Sequence, residues 1–165
     1  MIQVKQATSF EDFRTIEQLA REIFPAVYSP LMDPAHVTFF INRFQTSKAI
    51  AQQIATDHYH YYLLCLEQQI TGYLGVQLRK NVLHLSKLYI LEAYRGNKIG
   101  KTALQFTDEL AHKNGCSTID LYVNKHNADT IQIYQKAGYI IQDLVAHTYD
   151  NGHTEEDYHM VKTLS

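Results

Sequence analysis

Apolar side chains alternate over residues 82–91, VLHLSKLYIL, and this pattern predicts a strand. With strict alternation, one face carries Val82, His84, Ser86, Leu88 and Ile90, and the other carries Leu83, Leu85, Lys87, Tyr89 and Leu91. Both faces are largely apolar, so we expect a central strand covered on both sides. A turn at 92–100 follows, and helical spacing over 101–114 predicts a helix that ends at Gly115.

The rest of the chain predicts further strands and helices around this central unit. In the N-terminal third we expect a strand at 2–5, a helix that opens with a capping box at Thr8 or Ser9 and closes at Pro25, and helices that begin at Asp33–Pro34 and at Ser47. Strands are predicted at 59–66, 70–79, 118–123, 139–148 and 156–163, with a helix at 127–137. The expected fold is a mixed α/β sheet of about seven strands in a single domain, residues 1–165, with parallel pairing across the central strand–helix–strand crossover.

The two helices that precede the sheet core have two interpretations. They cover a substrate cleft, or they only cap the sheet. Periodicity favours neither interpretation, because both require the same apolar face.

Composition excludes several functions. The 165 residues are 45% hydrophobic with a net charge of −2, and the basic residues form no long run, so no nucleic-acid partner is expected. No apolar segment is long enough to cross a bilayer, which predicts a cytoplasmic protein without a membrane partner. The two cysteines are expected to be ordinary thiols, and nine histidines without a matched ligand set predict no metal.

The central stretch has the order strand, basic glycine-containing loop, helix. The first amides of a helix lack intrahelical partners and lie at the positive end of its dipole, so they bind anions well. Gly96 and Gly100 allow close approach of the backbone, while Arg95, Lys98 and Lys101 add positive charge. The loop has one residue too few for a nucleotide-triphosphate loop and lacks the dinucleotide fingerprint. A pyrophosphate suits this chemistry.

This stretch, LYILEAYRGNKIGKTAL, resembles motif A of the GCN5-related N-acetyltransferases, with Arg95 and Gly100 at the outer positions and Lys98 where the middle glycine is usual. A second stretch resembles the family's other signature, with matches at Asn127, Tyr134, Lys136, Gly138 and Tyr139. The resemblance covers most of the chain. It implies a GNAT-like acyl-CoA N-acyltransferase fold, with acetyl-CoA (coenzyme A) as the cofactor.

The resemblance also implies the cofactor-binding residues. The backbone of Leu88, Tyr89 and Ile90 would pair with the pantetheine arm as an added strand, and Asn127 would hydrogen-bond that arm. Lys136 would meet a phosphate oxygen, or it is simply a solvated lysine. The pyrophosphate would be cradled by Arg95, Gly96, Asn97, Lys98, Ile99, Gly100 and Lys101.

Acetyl transfer to an amine needs proton movements, because an alkyl amine has a pKa near ~10.4 and the departing thiolate benefits from a proton. The resemblance places Tyr134 beside the sulfur as the general acid; the alternative is that Tyr134 only packs its helix against the sheet. Many relatives carry a strand glutamate as the base, but Ser86 stands there. The identity of the base stays open: it is Glu92, His84 or Tyr28 acting through water, or the amine loses its proton to solvent before binding. The candidate substrate-binding residues are Tyr28 and Glu92.

The leading hypothesis is an N-acetyltransferase that transfers an acetyl group to a primary amine by direct attack on the thioester. The acceptor would be a small amine or polyamine, or a peptide N-terminus, and a second copy of the chain forming a homodimer is the protein partner considered. The chain end 155–164 is similar to the closing strand of bacterial spermidine/spermine acetyltransferases, and its acidic residues suit a polycation. The alternative is a non-catalytic acyl-CoA sensor or interaction module on the same fold.

Overall fold

The computed structural model describes residues 1–165 and contains one seven-stranded sheet with helices on both faces. The strand order is β1-β2-β3-β4-β5-β7-β6, and only the β4–β5 pair is parallel. The predicted mixed sheet and its parallel crossover are therefore confirmed. The elements are β1 (Ile2–Gln6), α1 (Phe10–Tyr28), α2 (Pro34–Phe44), α3 (Ser47–Thr56), β2 (Tyr59–Leu66), β3 (Gln69–Arg79), β4 (Val82–Ile90), α4 (Ile99–Lys113), β5 (Thr118–Asn124), α5 (Ala128–Lys136), β6 (Ile140–Thr148) and β7 (Thr154–Thr163).

Helix α1 begins as predicted but runs further. The Asp12 amide donates to Ser9 Oγ at 3.1 Å and the Ser9 amide donates to Asp12 Oδ2 at 3.2 Å, which completes the capping box. The prediction that Pro25 closes the helix was wrong, because the helix continues through Pro25 to Tyr28. Pro25 has no amide hydrogen to donate to the Arg21 carbonyl, but this single loss does not end the helix, and the Ser29 amide still donates to the Pro25 carbonyl at 3.0 Å.

Helices α1 to α3 cover the β2–β4 part of one sheet face. Their apolar side chains form a core with Tyr61, Leu63 and Tyr73 of the strands. Within this core the Tyr73 hydroxyl donates to Gln45 Oε1 at 2.5 Å, and Gln45 Nε2 donates to the Tyr61 hydroxyl at 3.1 Å. These buried hydrogen bonds fix the end of α2 to the sheet. Helices α4 and α5 pack on the opposite face over a second core that includes Leu83, Leu85, Ile99, Leu104, Ile119 and Tyr134.

Strand β4 contains a bulge that changes which side chains share a face. Gly75 pairs with Lys87 and the next residue, Val76, pairs with Leu85, so Ser86 is an extra residue without a partner. Leu83 and Leu85 therefore pack in the same core as Leu88 and Ile90, whereas Tyr89 packs against the α1 side. The prediction of strict alternation through 82–91 was wrong beyond Ser86. The bulge adds one residue to the strand, so the side chains after it point to the opposite faces from those predicted.

Strands β4 and β5 pair only at their beginnings. The register runs from Val82–Thr118 to His84–Asp120 and then stops, although both strands continue. The last residues of β4 keep their pairing with β3 on the other side, as in Leu88–Leu74 and Ile90–Gly72. The edge of β4 that faces β5 is consequently open beyond His84, and a cleft lies between the two diverging strands.

Candidate active site

A cavity of about 840 Å³ occupies the opening between β4 and β5. Residues of α1 and α2 line one end of it, and the start of α4, the start of α5 and the β6–β7 hairpin line the rest. Of the two helices that precede the sheet core, α2 lines this cleft with several side chains and α3 with Gln53. They therefore lie beside a cleft as well as on the sheet, and binding of the substrate there stays a prediction.

The basic loop leads into α4, which begins at Ile99, two residues before the predicted start. Gly96 has φ +84° and Lys98 has φ 65°, so both are left-handed, and Lys98 is the N-cap of the helix. Lys98 thus adopts the conformation that favours glycine at the position where the resemblance expects one. Arg95 and Gly100 line the cavity. Gly96, Asn97, Lys98 and Lys101 lie outside its wall, and the Ile99 side chain is buried in the core.

The other predicted cofactor residues lie on three elements. Leu88, Tyr89 and Ile90 form the β4 wall of the cleft beyond the point where β5 stops pairing. Asn127 is the N-cap of α5, its side chain makes no cap hydrogen bond, and it lines the cavity. Lys136 is exposed near the end of α5 and does not reach the cavity. An open strand edge, a free amide side chain and the first amides of α4 fit an extended acyl-CoA with its pyrophosphate at the helix.

Tyr134 lies in the α5 wall of the cavity. Its side chain is buried, and its hydroxyl makes no hydrogen bond within the protein. Burial raises the pKa of Tyr134 to about 12, so the phenol keeps its proton at neutral pH. The structure thus presents a protonated hydroxyl to the cleft, although the ring also belongs to the core beneath α5.

The two candidate substrate-binding residues differ in their surroundings. The Tyr28 hydroxyl shares a hydrogen bond of 2.5 Å with the Tyr89 hydroxyl. Burial raises the pKa of Tyr28 far above neutrality, which favours the protonated phenol over a role as a base. Glu92 is exposed in the turn after β4, on the wall of the cavity.

His84 is held by neighbours on β5 and β7. Its Nδ1 lies 2.8 Å from Asp120 Oδ1, and the other oxygen of Asp120 lies 2.9 Å from His159 Nε2. Burial lowers the pKa of His84, against the opposing effect of the Asp120 hydrogen bond. The side chain lines the cavity, but Asp120 fixes its orientation.

Sequence reasoning missed Lys87, which the bulge at Ser86 turns toward the cavity. The Lys87 ammonium donates to Ser86 Oγ at 2.9 Å and to the Ser86 carbonyl at 3.2 Å, and it lies 5.4 Å from the centre of the Phe40 ring. Burial lowers the pKa of Lys87 to about 8, and the negative charge of Glu155 opposes that shift. The available signal was a lysine within an otherwise apolar central strand.

The site prediction also omitted Glu155 and Asp157, although the sequence had drawn attention to the acidic chain end. They alternate on β7, so both face the cavity, while Glu156 between them is exposed and pairs with Lys125. Asp157 is only 4% exposed. Its Oδ2 lies 2.8 Å from His147 Nδ1, and its Oδ1 has no hydrogen-bond partner.

The pKa values of both carboxyl groups are raised. Burial, and then the hydrogen bond and charge of Asp157, raise the pKa of Glu155 to about 7. Burial also raises the pKa of Asp157. Two adjacent carboxyl groups do not ionise independently, so this pair is able to hold one proton near neutral pH.

The turn between β6 and β7 closes one end of the cavity against α2. The rings of His36 and His153 stack with centroids 3.8 Å apart, and Asn151 Nδ2 lies 3.1 Å from His36 Nδ1. Arg43 and Asp150 form a longer ion pair of 3.8 Å at the surface. Burial lowers the pKa of His36, and the nearby His153 adds to this effect, so the stack favours the neutral form of His36.

A strand opening beside the start of a helix and a buried phenol suits an acyl-CoA-dependent acyltransferase. The family model described as Acetyltransferase (GNAT) family matches residues 13–139, so the chain belongs to that family and is an N-acetyltransferase that uses acetyl-CoA. The chain is 24% identical over 139 residues to a spermidine N(1)-acetyltransferase of Thermoplasma acidophilum, covering 82% of this chain and 86% of the relative.

Solved structures agree on the fold. A PaiA N-acetyltransferase from Thermoplasma acidophilum in complex with coenzyme A superimposes with a TM-score of 0.82 at 21% identity, covering 99% of both chains. The ribosomal-protein-S18-alanine N-acetyltransferase from Escherichia coli gives a TM-score of 0.75 at 16% identity, covering 100% of this chain and 95% of the other. The predicted GNAT-like fold is confirmed.

Three remaining expectations concern membranes, metals and thiols. None of the helices combines the length and apolar character needed to span a membrane. No group of three or more histidine, cysteine or acidic side chains is arranged to hold a metal ion. Cys65 and Cys116 are free thiols, as predicted.

Proposed function

We propose that this N-acetyltransferase acetylates the primary amine of a small molecule, with Tyr134 as the general acid. Acetyl-CoA supplies an acetyl thioester when it is bound. Tyr134 supplies a hydroxyl that is buried, free of protein partners and protonated at neutral pH. Such a group is suited to give a proton to the leaving sulfur, whose thiol has an ordinary pKa of about 8.5.

Acetyl-CoA would bind between the open edge of β4, Asn127 and the start of α4. The open edge of β4 at Leu88 to Ile90 is available to hydrogen-bond the pantetheine arm, with Asn127 opposite. The first amides of α4, with Arg95 beside them, would hold the pyrophosphate. Lys101 and Lys136 would contribute only screened charge, because both are exposed.

A small acceptor is preferred because the cavity is closed at one end. The stacked rings of His36 and His153 join α2 to the β6–β7 turn there, and the cavity of about 840 Å³ has to hold part of the cofactor as well. A protein N-terminus would need a groove through which the following residues could leave. Polyamines are the first acceptors to test, since Glu92, Glu155 and Asp157 line the cavity and one relative is a spermidine acetyltransferase.

The experiment is a thiol-release assay with acetyl-CoA and a panel of acceptors. The panel contains n-butylamine, 1,4-diaminobutane, spermidine, spermine, single amino acids and a peptide that begins with alanine. We expect turnover on the small amines and much lower kcat/KM on the peptide. Efficient acetylation of the peptide alone would overturn the small-amine proposal. The alternative of a non-catalytic sensor is not favoured, and binding of acetyl-CoA without turnover on any acceptor would revive it.

A further inference from the structure

The cleft contains a carboxyl group, that of Asp157, with one oxygen bonded to His147 and the other without a hydrogen-bond partner in the protein. Asp157 is 4% exposed, it lines the cavity, and its Oδ1 accepts no hydrogen bond from the protein. A buried carboxylate oxygen without a donor is costly, since it loses its hydration and gains nothing in exchange. A ligand that supplies a positively charged N–H donor would remove that cost. An alkylammonium group is a donor of this kind.

Glu155 adds a second carboxyl group to the same wall. It lies two residues before Asp157 on β7, so both side chains leave the same face of the strand. The two carboxyl groups are close enough to hydrogen-bond each other when one is protonated, and Asn124 of β5 lines the same cavity. The charged and titratable groups that face Glu155 from the surrounding elements are Asp157, His36, Lys87, Tyr28 and Tyr149.

We propose that Glu155 and Asp157 form the binding site for the acceptor ammonium, and that Glu155 takes the proton that this ammonium must lose. This inference rests on the proposed function and supplies the base that β4 lacks at Ser86. In the step, an N–H bond of the ammonium breaks and an O–H bond forms on Glu155. The nitrogen keeps the electron pair, and the neutral amine becomes the nucleophile. Glu155 returns to its ionised form when the proton passes to solvent.

Asp157 and His147 offer a path by which that proton passes from Glu155 to solvent. Asp157 connects Glu155 to His147, whose Nδ1 lies 2.8 Å from Asp157 Oδ2. The His147 side chain is 33% exposed, so its ring contacts water while the Asp157 side chain, at 6%, stays covered. Glu155 also has a suitable proton affinity, because a group that accepts and releases protons near neutral pH works best with a pKa near 7.

The test compares Glu155→Gln and Asp157→Asn with Glu156→Gln. Glu156 lies between the two but is exposed and pairs with Lys125, so its variant controls for a change of charge on the same strand. We expect Glu155→Gln to lower kcat/KM for amines by ~10²–10⁴-fold at pH 7. The wild-type loss of activity below about pH 7 should vanish in this variant, and part of its activity should return at alkaline pH, where the free amine is neutral.

Asp157→Asn has a different expected signature. The charge of Asp157 raises the pKa of Glu155, so its removal should move the acid limb of the kcat/KM profile to lower pH. A merely structural role would lower activity without moving this limb. If Glu155→Gln matches Glu156→Gln in both kcat/KM and pH profile, the inference is overturned while the proposed function stands.

A binding measurement keeps the test independent of turnover. Calorimetric titration of the CoA-loaded protein with n-butylamine and spermidine should show affinity reduced roughly 10- to 100-fold in the Glu155→Gln/Asp157→Asn double variant. Unchanged CoA affinity and circular dichroism establish that the variant is folded. If the wild type acetylates none of the amines, the proposed function fails. Equal amine affinity in wild type and double variant would overturn the ammonium site in either case.

Discussion

Lys87 and Glu155 face the same cavity from β4 and β7, two strands that are not neighbours in the sheet. The charge of Glu155 favours the protonated form of Lys87, yet the ammonium donates to Ser86 and forms no ion pair with Glu155. Burial wins over this attraction, because the pKa of Lys87 is lowered to about 8. The cavity therefore contains a lysine whose positive charge destabilises the folded protein.

Lys87→Met should raise the free energy of unfolding at pH 7. The pKa of Lys87 is near 8 when folded and about 10.4 when unfolded, so the unfolded chain binds the proton more readily between those values. Wild-type stability should therefore rise with pH from about 8 to about 10.4, and the gain from Lys87→Met should shrink over that range. The expected difference at pH 7 is on the order of 2 to 3 kcal/mol.

Urea unfolding at several pH values measures this difference. The control is Lys80→Met, which alters an exposed lysine in the turn before β4. If the two variants have the same pH dependence, the ammonium of Lys87 is as well solvated in the folded protein as in water.

Tyr134→Phe should keep cofactor binding and lose turnover. The phenyl ring retains the packing beneath α5, and only the proton donor is removed. We expect kcat to fall by ~10²–10⁴-fold with little change in the affinity for CoA. Steady-state kinetics measure kcat, and calorimetry measures the affinity for CoA.

Tyr139→Phe is the matched control for this variant. Its ring packs edge-on against Tyr134 with centroids 5.6 Å apart, and its buried hydroxyl has no hydrogen-bond partner either, but Tyr139 does not line the cavity. Removal of that hydroxyl should leave kcat unchanged and stability equal or higher. Similar kcat values for Tyr134→Phe and the wild type would exclude the general-acid role.

Gly100→Val should fold normally and bind CoA poorly. Gly100 lies in the first turn of α4 without a positive φ, so a side chain there is compatible with the backbone conformation. A Cβ at this position meets only Ile90 Cδ1, at 3.5 Å, which is an ordinary contact. The branched side chain would instead occupy the space of a phosphate at the helix start.

Calorimetric titration with CoA checks this prediction, and circular dichroism checks the fold. Gly100→Ala should bind with intermediate affinity, because its single methyl group projects less. Normal binding by folded Gly100→Val would place the phosphates elsewhere.

Lys98→Gly should stabilise the protein by up to about 1 kcal/mol. A lysine with φ 65° carries a steric cost of ~1–2 kcal/mol, part of which is offset by the larger entropy that glycine loses on folding. Thermal and urea unfolding measure the change. Lys101→Gly, in the helical first turn of α4, should instead destabilise the protein by ~1 kcal/mol. If both variants destabilise equally, the left-handed conformation of Lys98 is not strained.

The order of elements followed from the sequence. The alternation of apolar residues, the capping box at Ser9 and Asp12, and the Asp33–Pro34 helix start are local signals, because each depends on neighbours within one turn or one strand. The two signatures around Arg95 and Tyr134 are also local, because each is one continuous segment. They could therefore indicate the family before the fold was known.

Only the tertiary structure decided which side chains meet in the cleft. The extra residue at Ser86 is a property of the pairing between β3 and β4, and it reverses the faces of Lys87 and Tyr89. In the sequence Asp157 is one of several acidic residues at the chain end, whereas the sheet places it beside the cavity with its Oδ1 lacking a donor. Burial and long-range proximity set the proton affinity of Glu155, and both arise from contacts between residues far apart in the sequence.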